Sequence, residues 1–205
     1  MTTEKLVLDP ATTPAQSIYK LLIGSVVPRP IAFVSTLSPD GVPNLAPFSF
    51  FNVICAEPPT VCFSTGFRAP SKDTLANVKA TGEFVVNMVS EEIAEQMNLC
   101  SGDYPAGVDE FQVSGLTPVP SGLVKPPYVL ESHVNMECRL AQLVEVSTRP
   151  LGGTLIIGEV VRFHIDGEIF ENFRIDPGKL CAVGRMGGNE YTRTRDRFQM
   201  VRPRV

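Results

Sequence analysis

The strongest constraint on the fold of this chain is a series of strand-like runs joined by tight turns. Residues 31–37 and 45–54 flank a turn that contains proline, aspartate and glycine, which are typical of strand reversal. Two longer runs, 134–146 and 154–165, flank a second turn with two glycines. Because such short connections join antiparallel neighbours, the pattern predicts a mainly β fold, a barrel or sandwich with added short helices.

The predicted helices are short and few. Residues 15–22 follow Pro14, and their apolar side chains Ile18, Leu21 and Leu22 are expected to face inward. Proline is favoured in the first turn of a helix, which supports a helix start at this point. Further short helices are predicted at 72–80 and from 90 to about 99.

Residues 100–125 have a different composition from the rest of the chain. They hold several glycines and prolines, so we expect them to run over the surface. Phe111, Val113 and Leu116 are the apolar side chains expected to order part of this excursion. Cys100 lies at its beginning, and is the one cysteine predicted to lie in a loop.

The composition is that of an ordinary globular protein. The chain has 205 residues, of which 43% are hydrophobic, and a net charge of −4, which gives no support for nucleic-acid binding. We expect one domain over residues 1–205. Charged side chains interrupt residues 1–20, and no later run has the length and apolar character of a membrane span. We therefore expect no signal peptide, no membrane segment and a cytoplasmic location.

The cysteine and histidine patterns predict neither a metal site nor a hydrolytic triad. The five cysteines are widely spaced and never form C-x-x-C, which disfavours a disulfide framework or a structural zinc site. Cys55, Cys62 and Cys138 lie in strand-like runs and are predicted to be small core residues. His133 and His164 also lie in strand-like runs, with no nucleophile motif around them.

One segment combines cations and hydroxyls where a strand-like run gives way to a helix-like one. Arg68, Ser71, Lys72 and Thr74 surround a predicted helix start, where unpaired backbone N–H groups and the helix dipole favour an anion. The glycine-rich phosphate motifs of nucleoside triphosphatases and dinucleotide folds are absent from the sequence. The segment predicts a phosphate site; the alternative is that Ser71 or Asp73 only caps the helix and both cations are solvated.

Two proline-containing segments are expected to leave backbone groups outside regular sheet pairing. Pro28 and Pro30 precede the first hairpin, and Pro47 lies within its second strand. Because proline has no N–H to donate, neighbouring backbone groups are available to a planar, polar ring. The alternative is that the phenylalanines between residues 48 and 51 are ordinary core aromatics.

Several linked motifs resemble one known family. They are RPIAFVSTLSPDGVPNLAPFSFFN at 29–52, SKDTLANV at 71–78, GEFVVNMV at 82–89, VDEF at 108–111, GEVV at 158–161 and GRMGGNEY at 184–191. In this order they are similar to the flavin reductase-like proteins with the FMN-binding split barrel. The resemblance extends from about residue 20 to about residue 195, which makes it far more specific than any single motif.

The resemblance implies a homodimer of split β-barrels that holds FMN without a covalent bond, near the subunit interface. It implies three sets of FMN contacts. The phosphate set is Arg68, Ser71, Lys72 and Thr74. The set at the edge of the isoalloxazine ring is Ala46, Ser49 and Asn52 with the backbone around Pro47 and Phe48. The set that lines and closes the cleft is Pro30, Ser35, Thr36, Met186, Gly187 and Tyr191.

The resemblance further implies hydride transfer from NADH or NADPH to the flavin, and onward transfer to free flavin, oxygen or a partner protein. Because the cofactor carries the chemistry, such an enzyme needs no nucleophile. Three alternatives stay open at this point. They are an FMN-binding electron carrier that another protein reduces, an oxidoreductase of an organic substrate, and a β-barrel interaction module without a cofactor.

Overall fold

The computed structural model describes residues 4–67 and 73–203 of the chain. The strands are β1 (Ala32–Leu37), β2 (Pro43–Phe48), β3 (Phe51–Ala56), β4 (Pro59–Gly66), β5 (Glu83–Met88), β6 (Pro118–Val119), β7 (Tyr128–Val129), β8 (Val134–Ser147), β9 (Gly153–Ile165), β10 (Phe170–Glu171), β11 (Arg174–Ile175), β12 (Val183–Arg185) and β13 (Tyr191–Arg193). The helices are α1 (Ala15–Ser25), α2 (Asp73–Thr81), α3 (Ala94–Leu99), α4 (Glu110–Ser114) and α5 (Pro177–Leu180), with single 3-10 turns at Glu91–Ile93 and Gly167–Ile169.

Seven strands form one antiparallel sheet in the order β2-β1-β5-β8-β9-β4-β3. The remaining strands form three small two-stranded ladders beside it. Both predicted hairpins are present, as β1 with β2 and as β8 with β9. The prediction of a mainly β fold with short helices is confirmed.

The sheet closes on itself because the consecutive strands β2 and β3 lie at its opposite edges. The chain crosses from one edge to the other through a bend at Ser49 and Phe50, and the backbone N–H of Ser64 donates to the Phe50 carbonyl at 2.8 Å. The prediction of a single strand over 45–54 is therefore wrong at this bend. A run of strand-forming residues does not reveal where the chain exchanges one neighbouring strand for another.

Aromatic side chains fill the barrel. Phe48 from β2 and Phe63 from β4 have ring centroids 5.0 Å apart, and Phe63 lies 5.4 Å from Phe84 of β5. A Cβ atom on Gly158 would lie 2.3 Å from Phe84 Cζ. Only glycine therefore lets β9 pass this close to the buried ring.

A second apolar cluster covers the other face of β1. Because side chains alternate along a strand, Ala32 and Val34 face the barrel core while Phe33 faces the opposite side. There Phe33 belongs to one buried cluster with Met97 of α3 and Phe111 of α4. Both faces of β1 are thus buried, which fixes the position of the strand next to the cleft described below.

The excursion over residues 100–125 is ordered by two of its three predicted apolar side chains. Phe111 and Leu116 are buried, whereas Val113 is exposed because it lies two residues from Phe111 on the other side of α4. Cys100 lies outside the helices and strands, as predicted, in the turn directly after α3, but its side chain is buried. It is not the one cysteine in such a position, because Cys181 lies directly after α5.

Two other groups predicted to be buried are exposed. Helix α1 contains no buried residue: Ile18 is half-buried, and Leu21 and Leu22 are exposed. Cys55 is exposed on β3, which forms an edge of the sheet, so its assignment to the core is wrong. Among the helices of the described ranges, none has the length and apolar character needed to cross a bilayer.

Candidate functional site

A cleft of about 1000 Å³ lies between α1, the end of β2 and the C-terminal part of the chain. Its apolar lining includes Ile31, Pro47 and Met97. Its polar lining consists of Gln16, Tyr19, Lys20, Arg29, Ser49, Asn98, Ser101, Arg185, Asn189 and Tyr191. An apolar surface with several convergent polar groups is the usual construction of a small-molecule site.

Arg29 links three segments of the cleft wall. Its Nη1 donates to the carbonyl oxygens of Ile23 at 2.6 Å and Val26 at 2.7 Å, at the C-terminal end of α1. Its Nη2 donates to the Met186 carbonyl at 2.9 Å, and its Nε donates to Ser49 Oγ at 3.4 Å. One buried side chain therefore holds α1, the bend after β2 and the C-terminal segment together.

The Arg29 side chain is a buried cation whose hydrogen-bond acceptors are neutral. Burial, together with the nearby positive charge of Arg185, lowers the pKa of Arg29. An arginine nevertheless keeps its proton in proteins, so the group stays charged. Carbonyl oxygens at the C-terminal end of a helix are a favourable environment for a cation, but they do not cancel its charge. Arg29 therefore gives the cleft a positive potential.

The segment that follows α5 forms the opposite side of the cleft. The backbone N–H of Arg185 donates to the Arg29 carbonyl at 2.8 Å, and the N–H of Arg29 donates to the Arg185 carbonyl at 3.0 Å. The Arg185 guanidinium lies over the Tyr191 ring, 4.5 Å from its centroid. The Tyr191 hydroxyl in turn donates to Asn98 Oδ1 of α3 at 3.2 Å. These contacts place Arg185 and Tyr191 together at the edge of the cleft.

The hairpin of β12 and β13 is held in place by contacts outside the cleft. Glu91 accepts hydrogen bonds from Arg193 Nε at 2.8 Å and Arg195 Nε at 2.7 Å. The bond from Arg195 is the main cause that lowers the pKa of Glu91. On the inner side, a Cβ on Gly184 would lie 3.0 Å from Pro28 Cβ, so the hairpin packs closely against the chain before β1.

The charges around the cleft all have one sign. Lys20, Arg29 and Arg185 line it, and no aspartate or glutamate occurs among its described lining residues. The chain as a whole carries a net charge of −4, so a cationic cleft does not follow from composition. An anionic ligand, or one that carries a phosphate, suits this site.

Four of the residues predicted to contact FMN line this cleft: Pro47, Ser49, Gly187 and Tyr191. Met186 lies next to them and contributes its carbonyl to the bond with Arg29. The structure thus brings together residues from β2, from the bend that follows it and from the C-terminal segment. Their contact with a flavin is a prediction.

Other predicted site residues lie elsewhere. The Ser35 and Thr36 side chains are fully buried, where Ser35 Oγ donates to the Pro127 carbonyl at 2.5 Å and Thr36 Oγ1 accepts from Asn77 Nδ2 at 3.0 Å. Both residues therefore serve internal contacts, and they do not line the cleft. Phe48 belongs to the barrel core and Ala46 packs against it, while Pro30 is exposed. Asn52 is exposed on β3, and its Oδ1 accepts from the Val53 N–H at 2.8 Å.

Most of the predicted phosphate set lies outside the described residues, namely Arg68, Ser71 and Lys72. Thr74 is described and is buried in the first turn of α2. Its Oγ1 accepts a hydrogen bond from Asn44 Nδ2 of β2 at 2.9 Å. Strand β2 therefore runs from a contact with this helix start, at Asn44, to the cleft, at Pro47.

Sequence reasoning did not select the three cations of the cleft. Lys20, Arg29 and Arg185 carry no motif of their own, although Arg29 and Arg185 lie within stretches that resemble the family. A usable signal was the position of Arg29 between two prolines, Pro28 and Pro30. Such a position excludes regular sheet pairing on both sides and thus suggests that the side chain has a special role.

The two histidines lie away from the cleft and contact carboxylates. His164 Nε2 lies 2.6 Å from Glu137 Oε1, and His133 Nδ1 lies 2.7 Å from Asp166 Oδ2. Neither pair contains a serine or cysteine nucleophile. In the part of the chain that the structure describes, no group of three or more His, Cys, Asp or Glu side chains is arranged to hold a metal ion.

Comparison with known proteins assigns the chain to a family. A family model described as "Flavin reductase like domain" covers residues 23–184. An uncharacterized protein of Aquifex aeolicus is 44% identical over 184 residues, which are 88% of this chain and 92% of that protein. The chain therefore belongs to the flavin reductase-like family, and the predicted family is confirmed.

Solved structures agree with this assignment. Nitrilotriacetate monooxygenase component B from Bacillus cereus is 33% identical with a TM-score of 0.94, over 97% of this chain and 100% of that one. The Pseudomonas fluorescens 2-nitrobenzoate 2-nitroreductase NbaA is 32% identical with a TM-score of 0.88, over 97% and 96% of the two chains. The barrel described above is thus the split barrel of this family, as predicted.

Proposed function

We propose that this protein is a flavin reductase that holds FMN in the cleft and accepts a hydride from NADH or NADPH. The observation that carries the proposal is the cleft. It has apolar side chains, three cations and no carboxylate among its described lining residues. A planar ring suits the apolar side chains, and the phosphates of a nicotinamide dinucleotide suit the cations. The membership of the flavin reductase-like family supports the same ligand.

The residues of the chain would orient the cofactor and would not react themselves. The flavin, when bound, supplies the chemistry, because it takes up a hydride and passes the electrons onward. Pro47 and Met97 offer apolar surface to a ring. The Ser49 hydroxyl, which accepts a bond from Arg29, keeps its own proton to donate to a polar ring edge. Gly187 and Tyr191 line the side of the site that the C-terminal segment forms.

The proposal places the FMN phosphate at the start of α2. Strand β2 connects this helix start to the cleft, because Asn44 bonds Thr74 and Pro47 lines the cleft. Arg68 and Lys72, which immediately precede α2 in the sequence, would add positive charge there. Joint replacement of Arg68 and Lys72 by Ala should weaken FMN by about tenfold or more, and riboflavin much less, since only FMN carries a phosphate. Equal weakening of both ligands, measured by flavin fluorescence, would contradict this placement.

The proposed reaction can be tested by spectroscopy. The purified protein is mixed with FMN, desalted, and titrated with NADH or NADPH without oxygen while its absorbance is recorded. We expect retained flavin bands that bleach with at least one donor. Retained bands that neither donor bleaches would refute the reductase and favour the electron carrier, whose flavin another protein reduces.

The electron acceptor is part of the proposal. The name of the similar Bacillus cereus structure says that it is one component of a monooxygenase. We therefore propose that the reduced flavin serves a partner protein, directly or as free flavin. Oxidation of the reduced protein by excess free FMN, followed anaerobically, would support release through free flavin; a reduced protein that only oxygen reoxidises would contradict it.

A second candidate is the reduction of an anionic organic substrate. It is favoured by the cations of the cleft and by the name of the similar Pseudomonas fluorescens structure, which describes a reductase of 2-nitrobenzoate. The test is anaerobic reoxidation of the reduced flavoprotein by 2-nitrobenzoate. Reoxidation faster than that by uncharged nitrobenzene would support this candidate, and no reoxidation would exclude this substrate.

We also propose a cytoplasmic homodimer. Helix α1 has no buried residue and exposes Leu21 and Leu22, while β3 exposes Val53 and Ile54. Exposed apolar side chains in such numbers often mark a contact surface. Light scattering after size-exclusion chromatography should give twice the chain mass of 22.3 kDa, and a single-chain mass would contradict the dimer.

A further inference from the structure

Lys20 and Arg185, the two other cations that line the cleft, differ from Arg29 in their contacts. Arg29 is buried and bonds three carbonyl oxygens and Ser49 within the protein. Lys20 is exposed on α1, and Arg185 is half-buried at the opposite side of the cleft. Both line the cleft, so a ligand in the cleft lies within the field of their charges.

Arg185 is held in position while most of its donors stay available. Its Nη2 donates to the Gly188 carbonyl at 2.5 Å, and the guanidinium plane lies over Tyr191. A guanidinium has five N–H donors in a rigid fork, which suits the oxygens of a phosphate. Among the described residues, no carboxylate forms an ion pair with Arg185 or with Lys20.

Two other arginines of the C-terminal segment do form ion pairs. Arg193 and Arg195 lie beyond the cleft, and both pair with Glu91. Arg193 and Arg195 thus share one carboxylate within the protein, whereas Lys20 and Arg185 have none among the described residues. Lys20 and Arg185 are therefore free of described carboxylate partners at a place where a ligand can reach them.

The two nicotinamide donors differ in charge. NADPH carries one more phosphate group than NADH, which adds a charge of about −1.5 to −2 near neutral pH. In the Rossmann dinucleotide folds, which differ from this barrel, a carboxylate that accepts hydrogen bonds from the ribose 2′-hydroxyl selects NADH and repels a 2′-phosphate. The described lining of this cleft offers cations and no carboxylate. Its electrostatics thus favour the donor with the larger negative charge.

We propose that Lys20 and Arg185 make this enzyme selective for NADPH over NADH. The inference rests on the proposed function, and it adds the choice of donor and the residues that determine it. The 2′-phosphate is the only charged group by which the two donors differ, so the proposal places this group in the positive field of Lys20 and Arg185. Salt should weaken the preference, because both side chains are accessible to solvent.

The test measures binding of the oxidised dinucleotides to the FMN-loaded protein, where no hydride is transferred. By calorimetry at low ionic strength we expect NADP⁺ to bind about tenfold more tightly than NAD⁺. Lys20→Gln and Arg185→Gln should each move this ratio toward one, while Arg185→Lys, which keeps the charge, should retain most of it. Lys79→Gln and Arg149→Gln remove exposed cations away from the cleft and should leave the ratio unchanged.

The outcomes separate this inference from the proposed function. If NADH and NADPH both bleach the flavin and NAD⁺ and NADP⁺ bind equally, the reductase stands and the selectivity is wrong. A ratio that survives in the Lys20→Gln and Arg185→Gln variants would refute the role of these residues. If neither oxidised dinucleotide binds measurably, the anaerobic reduction rates at low NADPH and NADH decide, and equal rates refute the inference. Failure of both donors to bleach the flavin refutes the proposed function itself.

Discussion

The barrel body, which is the seven-stranded sheet with its core, and the cleft wall, which carries Lys20 and Arg185, differ in how their charged groups are bonded. In the barrel body, Glu137 of β8 is fully buried and lies beside His164. Its carboxylate accepts hydrogen bonds from three backbone N–H groups, those of Gly122 at 2.9 Å, Leu123 at 2.6 Å and Val124 at 3.1 Å. In the cleft wall, Lys20 and Arg185 have no described carboxylate as an ion-pair partner. A buried charge without partners is costly, so the Glu137 contacts serve the fold.

The difference indicates which charges hold the structure together and which are available to a ligand. A charge that protein groups surround stabilises one conformation, as Glu137 does when it anchors the excursion before β7 onto β8. A charge that faces a cleft can change partners when a ligand enters. Substitutions in the barrel body should therefore change stability, whereas substitutions in the wall should change ligand binding.

The largest expected effect tests the apolar part of the barrel body. Phe63→Ala removes a ring that is 0% exposed between Phe48 and Phe84, and should lower the free energy of unfolding by about 3–5 kcal/mol. Phe198→Ala removes a ring that is 84% exposed, and should change it by less than about 0.5 kcal/mol. Urea unfolding measures both. A similar loss for the two variants would show that the aromatic cluster does not hold the barrel.

A second prediction concerns the buried carboxylate. Burial alone would raise the pKa of Glu137, but hydrogen bonds from Gly122, His164 and Leu123 outweigh it and keep this pKa below the usual value. A carboxyl with a lowered pKa in the fold stabilises the protein above its unfolded-state pKa, and this stabilisation is lost as the pH falls through the folded-state value. Glu137→Gln should therefore cost about 2–3 kcal/mol at pH 7 and progressively less in acid.

The matched control for this prediction is Glu145→Gln, which removes an exposed carboxylate from the same strand. It should change stability little at any pH. Urea unfolding across pH 3 to 7 distinguishes the two variants. A cost of Glu137→Gln that does not depend on pH would mean that the loss comes from packing and not from the charge.

The third prediction addresses the link between the barrel body and the wall. Arg29→Lys keeps a positive charge but loses the planar fork that bonds the carbonyl oxygens of Ile23, Val26 and Met186 together. FMN affinity should fall by about tenfold, with a smaller change in unfolding free energy. Arg149→Lys in an exposed turn is the control. A large loss of stability with unchanged FMN affinity would mean that Arg29 stabilises the fold and does not shape the FMN site.

The same division explains what the sequence could reveal. The barrel was predictable because each hairpin has a local signal: strand-forming runs joined by turn residues. The contacts that assemble the cleft wall have no local signal, since Arg29 bonds the carbonyl of Met186, which lies 157 positions away in the chain. The two prolines beside Arg29 mark the residue but do not reveal its partner. The exposed face of α1 was not predictable either, because an amphipathic pattern does not show whether its apolar side meets the core of the same chain.

Two residues that the family resemblance placed in the cleft lie elsewhere. Ser35 and Thr36 were expected there only because their positions match the family motif that begins at residue 29. In the structure their hydroxyls bond Pro127 and Asn77, so they join β1 to the excursion before β7 and to α2. Pro47, at the end of β2, and Ser49, in the bend that follows it, both line the cleft, and their contact with a flavin stays a prediction.

The smallest expected effect compares two buried carboxylates within the barrel body. Glu110 is buried like Glu137, but its Oε2 accepts a bond from the N–H of Leu45 at 2.9 Å where Glu137 accepts from three backbone N–H groups. Burial therefore dominates and raises the pKa of Glu110. For a carboxyl with a raised pKa, the stabilisation is fully present below the unfolded-state value and is lost as the pH rises through the folded-state value.

Glu110→Gln, which keeps the acceptor and removes the charge, should thus stabilise the protein at pH 8 by up to about 1 kcal/mol and have no such effect near pH 4. Its pH dependence is opposite in sign to that of Glu137→Gln, and urea unfolding of the two variants at both pH values measures the contrast. A destabilised Glu110→Gln variant at pH 8 would show that the Leu45 bond depends on the full negative charge. In that case the number of N–H donors would fail as the property that separates the two buried carboxylates.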